Sequence, residues 1–352
     1  MLAFSSDMSV PKDITAVGLY IRTKSGTVLY NNVVEATVSA TGDRSVRLPA
    51  SFAVLSNGSP ATVKVQLIAY GTKRKPFVIR QATTSVPVNR LSVLRMPLLW
   101  LNQHSADTAN GVVVPTNANT SGQLNVASLL SGQVADDFAL PEGGFKLPCA
   151  NDDESFIGGK CVTVDPNAQL PDFDPTEDPN SPDGACFSVE ACFSKAASVR
   201  ERIQKDGKID LTGFDLSSIN LALVTKDGAG IALGDGRFAI SLDSGSELEG
   251  FFVKNGALYL SSAVMHALDS GLATDIVATT SCAQKTLDVG NCGPWNPAKT
   301  PLSSNRSDGG IPSLDAAPRT DGATADADAS TLDASDAGSL DGSTDGATDA
   351  SA

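Results

Sequence analysis

The residues with the clearest chemistry are six cysteines, which fall into three local couples. No couple has the C-x-x-C spacing of a redox motif or of a zinc site, and the total is even. This pattern predicts a disulfide framework, which forms in an oxidising compartment. Six cysteines allow many pairings, of which closure between nearest neighbours is the simplest. The predicted disulfide residues are Cys149, Cys161, Cys186, Cys192, Cys282 and Cys292.

A second type of chemistry is offered by three acidic residues in one short loop, Asp152, Asp153 and Glu154. Calcium prefers several oxygen ligands on a flexible loop, so these carboxylates form a candidate metal site. The loop lacks the residue pattern of an EF-hand, and a solvated acidic loop is the alternative interpretation.

The two tryptophans, Trp100 and Trp295, lie near the ends of the two predicted folded regions. A sugar ring can stack on an exposed indole, so both residues are candidate ligand contacts. The alternative is that each large ring packs beneath a terminal loop and stabilises the core.

The sequence contains no recognisable catalytic constellation. It has two histidines, His104 and His266, which are not neighbours in the sequence, and it has no G-x-S-x-G elbow. The glycines between Gly228 and Gly236 follow the pattern of hairpin turns and are not followed by a long helix, as a dinucleotide site would require. We therefore predict that the chain is not an enzyme, with no catalytic residues and no cofactor.

The elements that must position these residues are mainly β-strands. Residues 13–101 contain short apolar runs separated by turn signals, and Val63, Val65 and Leu67 alternate with polar residues as in a half-buried strand. This spacing predicts an immunoglobulin-like β-sandwich. Residues 185–298 predict a second, mostly-β domain with disulfides and one or two short helices, one over Ala196–Gln204 and one capped by Ser261 or Ser262.

The remaining segments predict little regular structure. Residues 1–12 are expected to be a disordered N-terminus, and residues 102–184 a loop-rich linker that bears one disulfide. Residues 299–352 are rich in Asp, Ala, Ser and Gly and hold no aromatic residue. Such a segment cannot bury enough apolar surface to offset the entropy lost on ordering, so it is predicted to be a disordered acidic tail.

Charge and hydropathy limit the partners. The formal net charge is −14, and residues 301–352 contribute −8 of it through ten Asp against Arg306 and Arg319. A net negative chain without a dense basic stripe predicts no binding to nucleic acid. No apolar run is long enough for a transmembrane segment. The apolar run at Met1–Phe4 is too short for a signal peptide, so the start is misannotated or truncated, or the thiols stay reduced in the cytoplasm.

Several pieces of the chain resemble one family. These are Leu48-Pro-Ala, Arg95-Met-Pro-Leu-Leu-Trp-Leu101, Gly158-Gly-Lys-Cys-Val162, the Cys-Phe pairs at Cys186 and Cys192, Cys282-Ala-Gln-Lys and Cys292-Gly-Pro-Trp295. Together they resemble uncharacterised exported proteins, often lipoproteins, of myxobacteria and their relatives. The resemblance implies an exported protein of the cell envelope and implies no activity.

The sequence thus predicts an exported binding or structural protein of the periplasm or outer surface, with a surface glycan or a protein as its partner. Two alternatives stay open. One is a hydrolase of envelope polymers that uses carboxylates of the second domain, and the other is a calcium-stabilised spacer.

Overall fold

A computed structural model gives the fold, and it is mainly β, as the sequence predicts. It describes residues 1–39, 45–56, 58–72, 76–103, 123–124, 140–141, 149, 151, 153–163, 170–173, 184–298 and 300–302. The immunoglobulin-like topology stays a prediction. None of the described helices is long and apolar enough to span a bilayer.

The described elements of the N-terminal half are strands and one short 3-10 helix, Trp100–Asn102. The strands are β1 (Leu2–Phe4), β2 (Ala16–Thr23), β3 (Val28–Ala36), β4 (Ser45–Val46), β5 (Ala50–Phe52), β6 (Ala61–Tyr70), β7 (Pro76–Val86), β8 (Leu94–Arg95), β9 (Gln123–Leu124), β10 (Leu140–Pro141), β11 (Glu154–Ile157) and β12 (Lys160–Thr163).

The described elements of the C-terminal half include two α-helices, α1 (Val189–Phe193) and α2 (Ser262–Asp269), and the 3-10 helix Arg200–Arg202. The strands are β13 (Ala185–Cys186), β14 (Ala197–Ser198), β15 (Lys208–Ile209), β16 (Asn220–Thr225), β17 (Ile231–Leu233), β18 (Arg237–Ser241), β19 (Phe251–Lys254), β20 (Ala257–Leu260), β21 (Ala273–Thr279) and β22 (Thr300–Pro301).

The N-terminal half is built on a five-stranded sheet in the order β4-β3-β2-β6-β7. Its long strands are antiparallel, and the register places Leu19 opposite Leu67 and Ile21 opposite Val65. Because side chains alternate along a strand, these residues share one face and are buried in the main core. The alternation seen in the sequence of β6 therefore identifies the core-facing side of this sheet.

The N-terminal segment is ordered, contrary to the prediction of disorder over residues 1–12. β1 lies at the centre of a three-stranded sheet in the order β5-β1-β8. Leu2, Phe4, Met8 and Val10 are all buried, and all four are part of the main core. This apolar burial offsets the entropy of ordering a segment whose composition alone suggests a free terminus.

The C-terminal half is built on a second five-stranded sheet, in the order β14-β21-β16-β18-β17. β16 is buried along its whole length because both faces of the sheet are covered. Leu221 and Leu223 contribute to the main core, whereas Ala222 and Val224 pack with Phe193 of α1 in a separate cluster. A smaller sheet, β15-β20-β19, completes this half.

Two local features of the C-terminal half follow the sequence closely. The Asn255-Gly256 turn joins β19 to β20 with positive φ at both residues, which is the geometry that this dipeptide favours in tight hairpins. Helix α2 begins after Ser261, whose hydroxyl accepts the N–H of Val264, and the chain leaves it at Gly271, where φ is +72°. These positions confirm the predicted hairpin and the predicted cap.

The two predicted domains share one core, so they are not separate units in the structure. One buried cluster contains Leu67 of the first sheet, Trp100, and Leu221 and Ile276 of the second sheet. Polar contacts also join the halves: the Arg47 guanidinium donates to the carbonyls of Trp295 and Asn296. The described residues from Met1 to Leu302 belong to one compact unit.

The six cysteines form three disulfides, which indicates an oxidising environment. Cys149 pairs with Cys161, which is the pairing expected from nearest-neighbour closure. The other two bridges join Cys186 to Cys292 and Cys192 to Cys282, across 106 and 90 residues. These bridges connect α1 and its flanks to the loop after β21, because the fold brings the start and end of the C-terminal half together.

Three further segments differ from the sequence predictions. The expected helix over Ala196–Gln204 is replaced by β14, which pairs with β21, and by the 3-10 helix Arg200–Arg202. The predicted linker contains the β11–β12 hairpin, where the Ser155 hydroxyl accepts the backbone N–H of Gln81 on β7. The predicted tail begins later than expected, since Thr300–Pro301 pairs with β13. From residue 303 onward it lies outside the described residues.

Candidate functional site

The acidic loop does not assemble a metal site from the residues that can be described. Asp152 lies outside them, Asp153 is exposed, and the Glu154 carboxylate accepts hydrogen bonds from the backbone and side chain of Asn151. Within the described part of the chain, the one group of three potential ligand atoms comes from Cys149, Glu154 and Cys161. Both cysteines are in a disulfide, so they offer no thiolate to a metal.

Neither tryptophan presents an open indole face. Trp100 is 1% exposed and Trp295 is 7% exposed, and both are members of the main core. The alternative interpretation of the sequence, a large ring packed beneath a loop, therefore describes both residues. Trp100 still lines a cleft where the two halves meet, whereas Trp295 does not line it.

An apolar pocket of about 260 Å³ lies between the five-stranded sheet and the three-stranded sheet of the N-terminal half. Val63 and Val65 of β6 and Val86 of β7 form one wall, and Leu2 of β1 and Leu94 of β8 form the other. The walls of the pocket thus come from strands of both sheets, and the pocket is a gap in the packing between them.

Two exposed leucines line the apolar pocket: Leu55 is 84% exposed and Leu91 is 47% exposed. Two charged groups of the lining are engaged. The Arg90 guanidinium bonds the Ser92 hydroxyl and the Leu170 carbonyl and pairs with Asp172, and the Met1 ammonium donates to the Ser92 carbonyl. The lining also includes polar side chains, so it is mainly apolar and not entirely so.

A second cavity, the polar cleft, has a volume of about 420 Å³ and lies where the two halves meet. It is lined by Lys12 and Asp13 before β2, by Phe77 of β7, by Trp100 and Gln103 at the 3-10 helix, and by Asp227 in the turn between β16 and β17. Its lining combines aromatic rings with hydrogen-bond donors and acceptors, unlike that of the apolar pocket.

The two carboxylates in the polar cleft differ in their hydrogen bonding and exposure. Asp13 Oδ2 accepts hydrogen bonds from the backbone and hydroxyl of Ser9 and from the N–H of Gly230, and Oδ1 pairs with Lys12. Asp13 is therefore a structural link between the halves. Asp227 is exposed; its Oδ1 accepts the N–H of Ala229, and its Oδ2 is 3.5 Å from the indole nitrogen of Trp100.

A buried ionic cluster lies apart from both cavities. The Lys285 ammonium pairs with Asp243, and both side chains are 5% exposed. Asn220 holds the Lys285 loop by accepting its backbone N–H, while Asn291 donates to the carbonyl of Asp7. None of these residues lines a described cavity, so the cluster fixes the N-terminal segment against the C-terminal half and offers no chemistry to a ligand.

Asp7 gives this cluster a pH dependence. Burial raises the pKa of its carboxyl to about 8, although the backbone N–H of Trp100 and the charge of Lys285 act in the opposite direction. Between about pH 4 and pH 8 the native state thus holds a proton that the unfolded chain has lost. The contribution of Asp7 to the free energy of unfolding is present below this window and falls as the pH rises through it.

Replacing Asp7 with Asn is expected to abolish that fall. The amide oxygen can still accept the Trp100 N–H, and an amide does not ionise. As the pH rises through the window, the free energy of unfolding of the variant should increase relative to that of the wild type by up to about 1.4 kcal/mol for each pH unit. Urea unfolding of both proteins from pH 4 to pH 9 measures the difference, and parallel stability curves would show that Asp7 is not buried as an acid.

Neither cavity can be predicted from the sequence. The alternation of Val63 and Val65 predicts an inward-facing side of β6, but an inward face predicts a filled core as readily as an open pocket. The position of Asp227 near Trp100 depends on the packing of the two halves.

Comparisons with known proteins add no assignment: no family model, no curated protein and no solved structure matches the chain. The function must therefore be argued from the two cavities, the disulfides and the charges.

Proposed function

We propose that this chain is an exported binding protein of the cell envelope and that its apolar pocket receives the alkyl chain of a lipid-type ligand. The single observation that carries the proposal is the pocket itself. It is an opening of about 260 Å³ with mainly apolar walls from two sheets.

The disulfides support the compartment. Three bridges account for all six cysteines, two of them join distant parts of the C-terminal half, and no cysteine is free. Such a framework persists in the periplasm or outside the cell and is rare in the cytosol. The resemblance to exported myxobacterial proteins points in the same direction.

The size and the lining of the pocket support the ligand class. At roughly 30 Å³ for each water-sized unit, the volume accommodates about nine methylene-sized groups. Each buried methylene contributes about 0.8 kcal/mol, so a chain of this length has sufficient driving force for binding. Leu55 and Leu91 extend the apolar surface beyond the mouth, where they can cover the part of a longer chain that remains outside.

The charges argue for binding in preference to hydrolysis. The hydrolase alternative needs two unengaged carboxylates in one cleft, one of them able to donate a proton. Asp243 is paired with Lys285, and Glu249 is held by Arg80 at 2.6 Å and by the Asn102 amide. In the polar cleft, Asp13 is saturated by its hydrogen bonds and only Asp227 faces solvent.

Isothermal titration with sodium decanoate, below its aggregation concentration, tests the proposal. Wild-type protein should bind the alkanoate, and Val63→Phe should weaken binding by about tenfold or more, because the ring occupies the space of several methylenes. Val253→Phe is the matched control: Val253 is half-exposed on β19 and does not line the pocket. Equal affinities for wild type and Val63→Phe would contradict the proposal.

A second variant guards against a folding defect in Val63→Phe. Leu55 is almost fully exposed, so Leu55→Ser should leave the melting temperature unchanged. The loss of the apolar Leu55 side chain at the mouth of the pocket should still weaken decanoate binding by about threefold. Unchanged binding in this variant, together with unchanged binding in Val63→Phe, would place the alkyl chain elsewhere.

A further inference from the structure

We infer that the polar cleft is a second binding site, which takes a neutral saccharide unit. This site is separate from the apolar pocket and does not depend on the proposed function. It is lined by residues from both halves, has a volume of about 420 Å³, and lies within the size range of small-molecule sites.

The first argument is a buried donor without an acceptor. The side-chain nitrogen of Gln103 is buried and has no hydrogen-bond partner among the described residues, and Gln103 lines the cleft. A buried amide N–H that bonds to nothing costs free energy, and native proteins rarely leave one unpaired. An acceptor oxygen from a bound molecule would satisfy it.

The second argument is the arrangement around that donor. Trp100 also lines the cleft, and its indole N–H has one partner among the described residues, Asp227 Oδ2, at the long distance of 3.5 Å. Asp227 Oδ2 in turn can accept a hydrogen bond from a ligand. The cleft thus presents two donors and one charged acceptor, and the ring of Phe77 provides an apolar wall.

The charges select the ligand class. Lys12 is engaged by Asp13 and by the carbonyl of Gly228 and lies over the Phe238 ring, so it does not attract an anion into the cleft. An ammonium would suit Asp227 but brings no acceptor for Gln103 and Trp100. A hydroxyl both donates and accepts. A polyhydroxylated ring, with an apolar face for Phe77, therefore matches the groups that the described residues present to the cleft.

The polar cleft and the apolar pocket lie at opposite ends of β6. Val63 and Val65 are near the start of this strand, whereas Gly71 of the cleft directly follows its last residue, Tyr70. A strand of this length spans roughly 30 Å. A substitution in one site is thus not expected to alter the other, so the two proposals fail independently.

Nuclear magnetic resonance of the full chain, labelled with ¹⁵N, tests the inference directly. The protein has two tryptophans, so its spectrum contains two indole N–H signals, and a Trp295→Phe variant assigns them. The probes are the methyl glycosides of glucose, galactose, mannose and N-acetylglucosamine at millimolar concentration. Glucosamine is added as a cationic comparison ligand and glucuronate as an anionic one.

We expect at least one neutral glycoside to shift the Trp100 indole signal saturably while the Trp295 signal stays in place. Gln103→Met, which keeps the length of the side chain and removes the donor, should weaken that response by about tenfold. Gln204→Met is the matched control, because Gln204 is exposed and lies outside the cleft.

Three results would overturn the inference. One is the absence of any shift of the Trp100 signal with the four neutral glycosides. Another is a response to glucosamine or glucuronate alone, which would identify a site for charged ligands. The last is an equal response in wild type and Gln103→Met, which would separate the ligand from the buried amide.

Discussion

Removing both long-range disulfides together is expected to lower the free energy of unfolding by about 7–8 kcal/mol, whereas removing either one alone costs about 3 kcal/mol. The reason is that the Cys192–Cys282 bridge lies inside the loop closed by Cys186–Cys292. While one bridge remains, the second bridge closes only a short additional loop. This loop consists of the 6 residues from Cys186 to Cys192 and the 10 residues from Cys282 to Cys292, joined through the remaining bridge. When both are removed, the entropy of a loop of 90 residues or more is also regained by the unfolded chain.

Guanidinium unfolding of four proteins measures this effect: the wild type, Cys186→Ser with Cys292→Ser, Cys192→Ser with Cys282→Ser, and all four substitutions together. The Cys149→Ser, Cys161→Ser pair is the control, since its bridge spans 12 residues and lies outside the nested loops. If the fourfold variant were no less stable than either double variant, these pairings would be contradicted, because nearest-neighbour bridges would already both be lost in each double variant.

Replacing Lys285 with Met is expected to destabilise the fold by about 3–5 kcal/mol, because it leaves the Asp243 carboxylate buried without a counter-charge. Both side chains are 5% exposed, so water cannot replace the lost ammonium without a local opening of the structure. The loop between Cys282 and Cys292 carries Lys285, and its backbone stays tied to Asn220 and Ser244.

The double variant Lys285→Met with Asp243→Leu separates the unpaired charge from the loss of packing. Because it removes both charges, it should recover most of the stability lost in Lys285→Met. Chemical unfolding at pH 7 provides the comparison, with Lys254→Met as a control on an exposed lysine. If the double variant were less stable than Lys285→Met, the pair would be stabilising beyond its desolvation cost and this interpretation would be wrong.

Features that depend on a few adjacent residues could be predicted from the sequence. The Asn255-Gly256 hairpin is fixed by the tolerance of both residues for positive φ, and the start of α2 is fixed by the Ser261 cap. The inward face of β6 follows from simple alternation. In each case, local chemistry and tertiary packing favour the same conformation, so the sequence is sufficient.

Features that depend on long-range packing could not be predicted. The cysteines look like local couples, but the fold brings Cys186 next to Cys292, and spacing carries no information on such proximity. Residues 1–12 look like a free terminus because their composition does not reveal that β5 and β8 flank β1. Ala196–Gln204 has helical composition, but β21 offers Ala197 and Ser198 a partner strand.

The candidate sites show the same limit more strongly. The residues of the polar cleft come from four separate parts of the chain, and nothing in their spacing links Gln103 to Asp227. The walls of the apolar pocket come from strands of two different sheets, and their proximity is a property of the packing. The sequence indicated the compartment through its cysteines, while the ligand sites required the three-dimensional arrangement.

The most direct test of the alkyl-binding proposal is a calorimetric series of alkanoates from six to fourteen carbons. The affinity should rise about fourfold with each added methylene, at about 0.8 kcal/mol each, until the pocket is filled at roughly nine methylene groups, and then level off. The plateau should move to shorter chains in Val63→Phe. An affinity that does not change with chain length, or that rises without a plateau, would contradict a bounded apolar site in this protein.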